Sequence, residues 1–99
     1  MAKRKYERPP KKFLYSDFEE MLENIDLTIT FEILWHIMYC VECDFDEARI
    51  FQLEKPDEIV EFIMKRDEWP SALDECIKNF VLYEYYEVAG VAKKIKDAL

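Results

Sequence analysis

His36, Cys40 and Cys43 stand at i, i+4 and i+7, and a fourth soft donor, Cys76, lies farther along the chain. Four such side chains could in principle hold zinc, which takes thiolate sulfur and imidazole nitrogen in a tetrahedron. The local pattern argues against it. Structural Cys-x-x-Cys knuckles sit in turns, often with glycine, whereas this pair falls at the end of a helical pattern. On a helical wheel Cys40 points to the core side and His36 lies at its edge, and a free cysteine behaves as a small buried hydrophobe. A redox Cys-x-x-Cys would want a βαβ setting, which the pattern does not suggest. The expectation is a chain without metal or cofactor.

Glu84 is the second residue that could do chemistry. Over the last third of the chain Leu73, Ile77, Phe80, Val88, Val91 and Ile95 recur at helical spacing, and Glu84 falls in the middle of that face. A carboxylate there needs a partner, with Arg66, Arg49 or His36 as candidates, or else a local bend that exposes it. Catalysis would further require a second polar group, a pocket and a nucleophile. No Ser or Thr stands near an obvious base and there is one histidine, so an enzyme is not expected.

Around the same segment Tyr83, Tyr85 and Tyr86 cannot all face one core. Leu82, Tyr86 and Ala89 make a second stripe, nearly opposite the first. It either packs beneath Phe13, Leu14 and Tyr15 or forms an aromatic patch for a partner or a second copy, a use to which Tyr and Trp are suited. Trp35 and Tyr39 would extend such a patch.

Charge divides the chain. Residues 1–12 hold six cations (Lys3, Arg4, Lys5, Arg8, Lys11, Lys12) against Glu7, leaving 8 cations and 21 anions for residues 13–99. The first twelve residues, with Pro9-Pro10, read as a flexible basic arm that could contact phosphates through counterion release. The body, with Glu58 and Glu61 among its acids, reads as a single acidic domain suited to a basic protein surface, or as a mimic of DNA. A helix-turn-helix reading around Leu53–Pro56 fails because Asp57, Glu58 and Glu61 would face phosphate.

Half the 99 residues are apolar and 36% are charged, the make-up of one folded domain. The single glycine argues against two-residue hairpins and excludes glycine-rich phosphate cradles. Ser16-Asp17-Phe18-Glu19 fits a capping box opening a helix over about 17–25, with Phe18, Met21, Leu22 and Ile25 inward. Leu27–Phe31 alternates like a strand, whereas Phe31–Glu42 is helical, with Ile33, Leu34, Ile37, Met38, Cys40 and Val41 as its apolar face. Asp44–Glu47 would cap a short helix to Leu53. Pro56 would restart one lined by Ile59, Phe62 and Ile63, with Glu61 and Lys65 paired. Trp69-Pro70 opens a last long helix in which Gly90 is the weak point.

The expected fold is therefore all-α: a compact bundle of four to five helices with a long C-terminal helix and a flexible basic arm. An odd cysteine count and the lack of an apolar leader point to the cytoplasm. The expected function is a non-enzymatic adaptor or regulator that binds a protein through Trp35, Tyr39, Glu58, Glu61, Leu82, Glu84 and Tyr86. The alternative is a nucleic-acid-associated factor or DNA mimic, with weak phosphate contact by the arm. A homodimer is compatible with either, and size and acidity would suit a virus-encoded modifier of host machinery.

Overall fold

Strand formation begins where helical periodicity was expected to rule. A computed structural model describes residues 5–16, 18–19 and 27–99. Among these the chain forms β1 (Lys11–Leu14), α1 (Leu27–Cys43), β2 (Glu47–Glu54), β3 (Ile59–Lys65), a 3₁₀ turn (Arg66–Glu68), α2 (Trp69–Leu82) and α3 (Tyr86–Asp97). The expected all-α bundle of four to five helices is thus corrected to a mixed α/β fold. Its sheet has the order β1-β2-β3, with β1 parallel and β3 antiparallel to β2.

Each departure has a local cause. The segment read as a helix from Asp44 to Leu53 is β2, whose period-2 pattern is hidden by a bulge between Arg49 and Phe51. An extra residue there places Ile50 and Phe51, adjacent in sequence, both in the core. The supposed Pro56 helix is β3. Ile59, Phe62 and Ile63 fit a helical spacing by coincidence, but in a strand Ile59 and Ile63 share one face and Phe62 takes the other. The Glu61–Lys65 helix pair accordingly gives way to a cross-strand ion pair between Glu61 and Arg49.

The glycine shortage excludes only the tightest hairpins. Residues 55–58 join β2 to β3 in a four-residue loop, closed by the Lys55 N–H donating to the Glu58 carbonyl at 2.9 Å, and no glycine is needed. Likewise β1 begins at Lys11, inside the segment read as an arm. The parallel β1–β2 pairing requires a long crossover, and α1 lies within it.

Helix α1 is helical from Leu27, so the ambiguous stretch Leu27–Phe31 belongs to it. Of the proposed first helix over 17–25, residues 17 and 20–25, including Met21, Leu22 and Ile25, lie outside the described residues. Phe18 is described and packs on Phe51 and Phe62.

The core runs from the sheet through the helices in sequence. Leu34, Ile37 and Cys40 of α1 meet Ala48, Ile50, Phe51 and Leu53 of β2; Trp69, Leu73, Cys76 and Phe80 of α2 and Ala89 and Ala92 of α3 complete it. Thr30 joins α1 to α2, its carbonyl taking the Cys76 thiol at 3.7 Å and its hydroxyl the Asn79 amide at 3.4 Å. The Trp69 indole N–H donates to the Met64 carbonyl at 2.9 Å and fixes the start of α2 against β3. Lys96 and Asp74, 2.6 Å apart, connect α3 to α2.

The long C-terminal helix is also corrected: it is two helices, broken at Tyr83-Glu84-Tyr85 and not at Gly90. Glu84 adopts φ 63°. Tyr85 N–H donates to the Phe80 carbonyl at 2.8 Å and Glu84 N–H to the Val81 carbonyl at 3.0 Å. That pair of bonds is a Schellman ending, with glutamate where glycine is usual. The break resets the helical phase, so α3 buries Ala89 and Ala92 while Val91 is exposed. No helix among the described residues is long and apolar enough to cross a membrane.

Candidate functional site

Two polar constellations stand out, one buried and one exposed. The buried one joins the N-terminal segment to α1 and β2. Tyr6 lies against Tyr39 and Phe45, and its hydroxyl is 2.7 Å from His36 Nδ1. The same oxygen accepts the Arg49 backbone N–H at 3.1 Å, with Cys40 Sγ 3.7 Å away. The Cys40 thiol also reaches the Glu47 carbonyl at 3.5 Å, and the remaining ring nitrogen of His36 is Nε2. That atom is 3.4 Å from Glu32 Oε2 and makes no hydrogen bond.

Glu32, His36 and Tyr6 thus lie in the order acid, imidazole, hydroxyl, the order of an activated nucleophile. The surroundings oppose that chemistry. His36 has no solvent exposure, and burial, with Arg8 adding to it, lowers its pKa to about 4. Burial likewise pushes the Tyr6 phenol well above its ordinary range, so no phenolate is supplied. The constellation holds the segment around Tyr6 in place, and the Glu7 N–H adds a bond to the Tyr39 hydroxyl at 2.9 Å.

His36 and Cys40 both face the Tyr6 hydroxyl, but the four residues His36, Cys40, Cys43 and Cys76 form no common site, and the described residues contain no group of three or more His, Cys, Asp or Glu arranged to hold a metal. Cys76 faces Thr30, and burial raises its pKa to about 12. A βαβ unit is present after all, as β1-α1-β2, but Cys40 and Cys43 occupy the C-terminal end of α1. The helix dipole there opposes a thiolate, whereas redox pairs use the N-terminal end, and burial raises Cys40 further.

The exposed constellation is the turn between α2 and α3. Leu82 and Tyr86 are the most open of its large side chains, at 64% and 62% exposure, with Val81, Tyr83 and Tyr85 also exposed. Glu84, Tyr85, Tyr86, Glu87 and Val88 line a shallow depression of about 360 Å³. The left-handed conformation of Glu84 turns the chain sharply and keeps its carboxylate outside the core.

Asp44 offers a comparison. It too has a positive φ, 58°, at the end of α1, but its carboxylate is 3.5 Å from Arg66. Glu84 has no ion pair among the described residues, so the partners expected in Arg66, Arg49 or His36 are all engaged elsewhere.

The remaining proposed partner-binding residues divide. Trp35 is half-buried and stacks on Phe31, which itself meets Tyr85, so Trp35 borders the turn through Phe31. Tyr39 belongs to the Tyr6 cluster. Glu58 is exposed in the hairpin loop, 3.6 Å from Lys55, and Glu61 is held by Arg49. Ala89 of the expected stripe is buried. In the arm, Lys3 and Arg4 lie outside the described residues. Lys5 is exposed, Arg8 is half-buried with Nε lacking a hydrogen bond, and Lys11 and Lys12 are exposed on β1.

Tyr6 was missed by sequence reasoning. Its signal was an aromatic ring among cations and prolines, where a purely solvated tail has no use for one. Comparison with protein-family models, curated proteins and solved structures finds no match for this chain.

Proposed function

We propose that this protein is a non-enzymatic binding module whose α2–α3 turn docks a protein partner bearing cationic and apolar side chains. The observation that carries the reading is Glu84. It occupies a left-handed backbone conformation that costs an L-residue about 1–2 kcal/mol, and its carboxylate takes no ion pair among the described residues. A residue held at such a cost without an internal partner is suited to an external one.

The neighbours supply the rest of an anchor. Tyr86 and Leu82 offer apolar surface, the tyrosine rings can receive a Lys or Arg over their faces, and Glu87 adds a second acid. Long-range attraction comes from the acidic body. The test is affinity capture with the intact chain and with Tyr86→Glu, whose helical circular dichroism should be unchanged because Tyr86 is exposed. Loss of the retained partner with the fold intact is expected; retention of the same partner would overturn the reading, as would unfolding of the variant.

A further inference from the structure

The outer edge of β3 carries a self-complementary pattern. Among the described residues no strand pairs with it. Which of its backbone groups point outward follows from the two ends of the hairpin. Lys55 N–H bonds the Glu58 carbonyl, and Arg66 N–H bonds the Asp46 carbonyl. Residues 58 and 66 therefore direct their polar groups to β2. Alternation assigns 60, 62 and 64 to the same side, because the bulge lies in β2 and leaves β3 regular. Glu61, Ile63 and Lys65 direct their N–H and C=O groups outward.

These three residues read acid, apolar, base at even spacing, all on one face of the sheet. Ile63 is 43% exposed, Lys65 is exposed, and Glu61 is half-buried, with its carboxylate also holding Arg49 of its own chain. Charges on an edge strand ordinarily deter pairing, but opposite charges flanking a central apolar residue match their own antiparallel copy. A two-fold axis through Ile63 sets each Glu61 directly across from Lys65 of the other copy, with Ile63 against Ile63. On the opposite face it sets the exposed Phe62 ring against Met64, a favourable sulfur–aromatic contact. Within β3 the neighbouring registers lack this match: an axis at Phe62 opposes Glu61 to Ile63 and Lys65 to Ile59, and an axis at Glu61 opposes two acids.

We propose that the protein forms a homodimer through antiparallel β3–β3 pairing centred on Ile63, joining two three-stranded sheets into one of six strands. The occupant is a second copy because the pattern is complementary to itself. This surface is separate from the α2–α3 turn.

The experiment is sedimentation equilibrium of the full chain, with variants. The intact protein should show twice the 12.0 kDa chain mass. Lys65→Glu places acid against acid at both pairs and should return the mass to a single chain, with unchanged circular dichroism. A second variant, Ile63→Cys in a Cys43→Ser background, tests the register without relying on charge. The Cα separation across a hydrogen-bonded antiparallel pair, about 5.5 Å, suits a disulfide. Oxidation should link Ile63→Cys chains and leave Ile59→Cys chains unlinked. A single-chain mass for the intact protein would overturn the proposal, as would an intact Lys65→Glu dimer or equal linking at positions 59 and 63.

Discussion

At the scale of single residues, two side chains carry opposite kinds of information. His36 is neutral and enclosed, and its pKa of about 4 lies below the ordinary 6.5. The unfolded chain therefore binds a proton that the folded chain refuses between these values, and folding stability rises with pH across the window. Its contribution is complete above about pH 6.5 and is lost as pH falls toward 4. The loss is roughly 2 kcal/mol after allowance for solvent screening. Urea unfolding at stepped pH should record that slope, and His36→Gln should remove it; a slope that persists in the variant would assign it to the carboxylates. Glu84 is open and strained. Glu84→Gly relieves the left-handed backbone and should raise stability by about 1 kcal/mol while weakening partner capture. A variant that is more stable and binds undiminished would leave the Glu84 carboxylate without a role.

At the scale of elements, α3 carries a glycine in its interior with nothing within 4 Å of where a Cβ would stand. Gly90→Ala should therefore stabilise the protein by about 0.5–1 kcal/mol, read as a higher urea midpoint; a lower one would place a neighbour against that site. How far the elements could be read from sequence depended on whether one period ran uninterrupted. Helix α1 was legible from Phe31 because its apolar residues recur every three or four positions. Strand β2 was not, since the bulge at Ile50 inserts a residue and breaks the alternation. Strand β3 was misread because Ile59, Phe62 and Ile63 satisfy a helical template while their β-branched and aromatic types suit a strand. The break at Glu84 was hidden because glycine, the usual marker of a Schellman ending, is replaced by an acid. Leu82 and Tyr86 drew attention as one stripe of one helix; they instead flank a turn, which changes why they are exposed.

At the scale of the whole molecule, the proposed functions are distributed over surfaces. The buried Tyr6–His36 constellation anchors the N-terminal segment, the β3 edge is the surface proposed to meet its own copy, and the α2–α3 turn is the one proposed to face a partner. In the homodimer two such turns would be presented by one assembly, and paired sites raise avidity where a partner's geometry allows both to engage. The acidic body would serve the partner contact by steering cationic surfaces toward it, so partner association should slow as salt rises. A rate indifferent to ionic strength in stopped-flow mixing with the captured partner would remove electrostatics from the account.

The central claim is that the α2–α3 turn contacts the partner, and site-specific photo-crosslinking tests it most directly. A benzoylphenylalanine replacing Leu82, the most exposed large apolar side chain of the turn, should form a covalent adduct with the partner. The same probe at Ser71, exposed at the opposite end of α2, should not. Adducts confined to position 82 and abolished by Tyr86→Glu are the predicted result; equal adducts from both positions, or adducts indifferent to Tyr86→Glu, would contradict it.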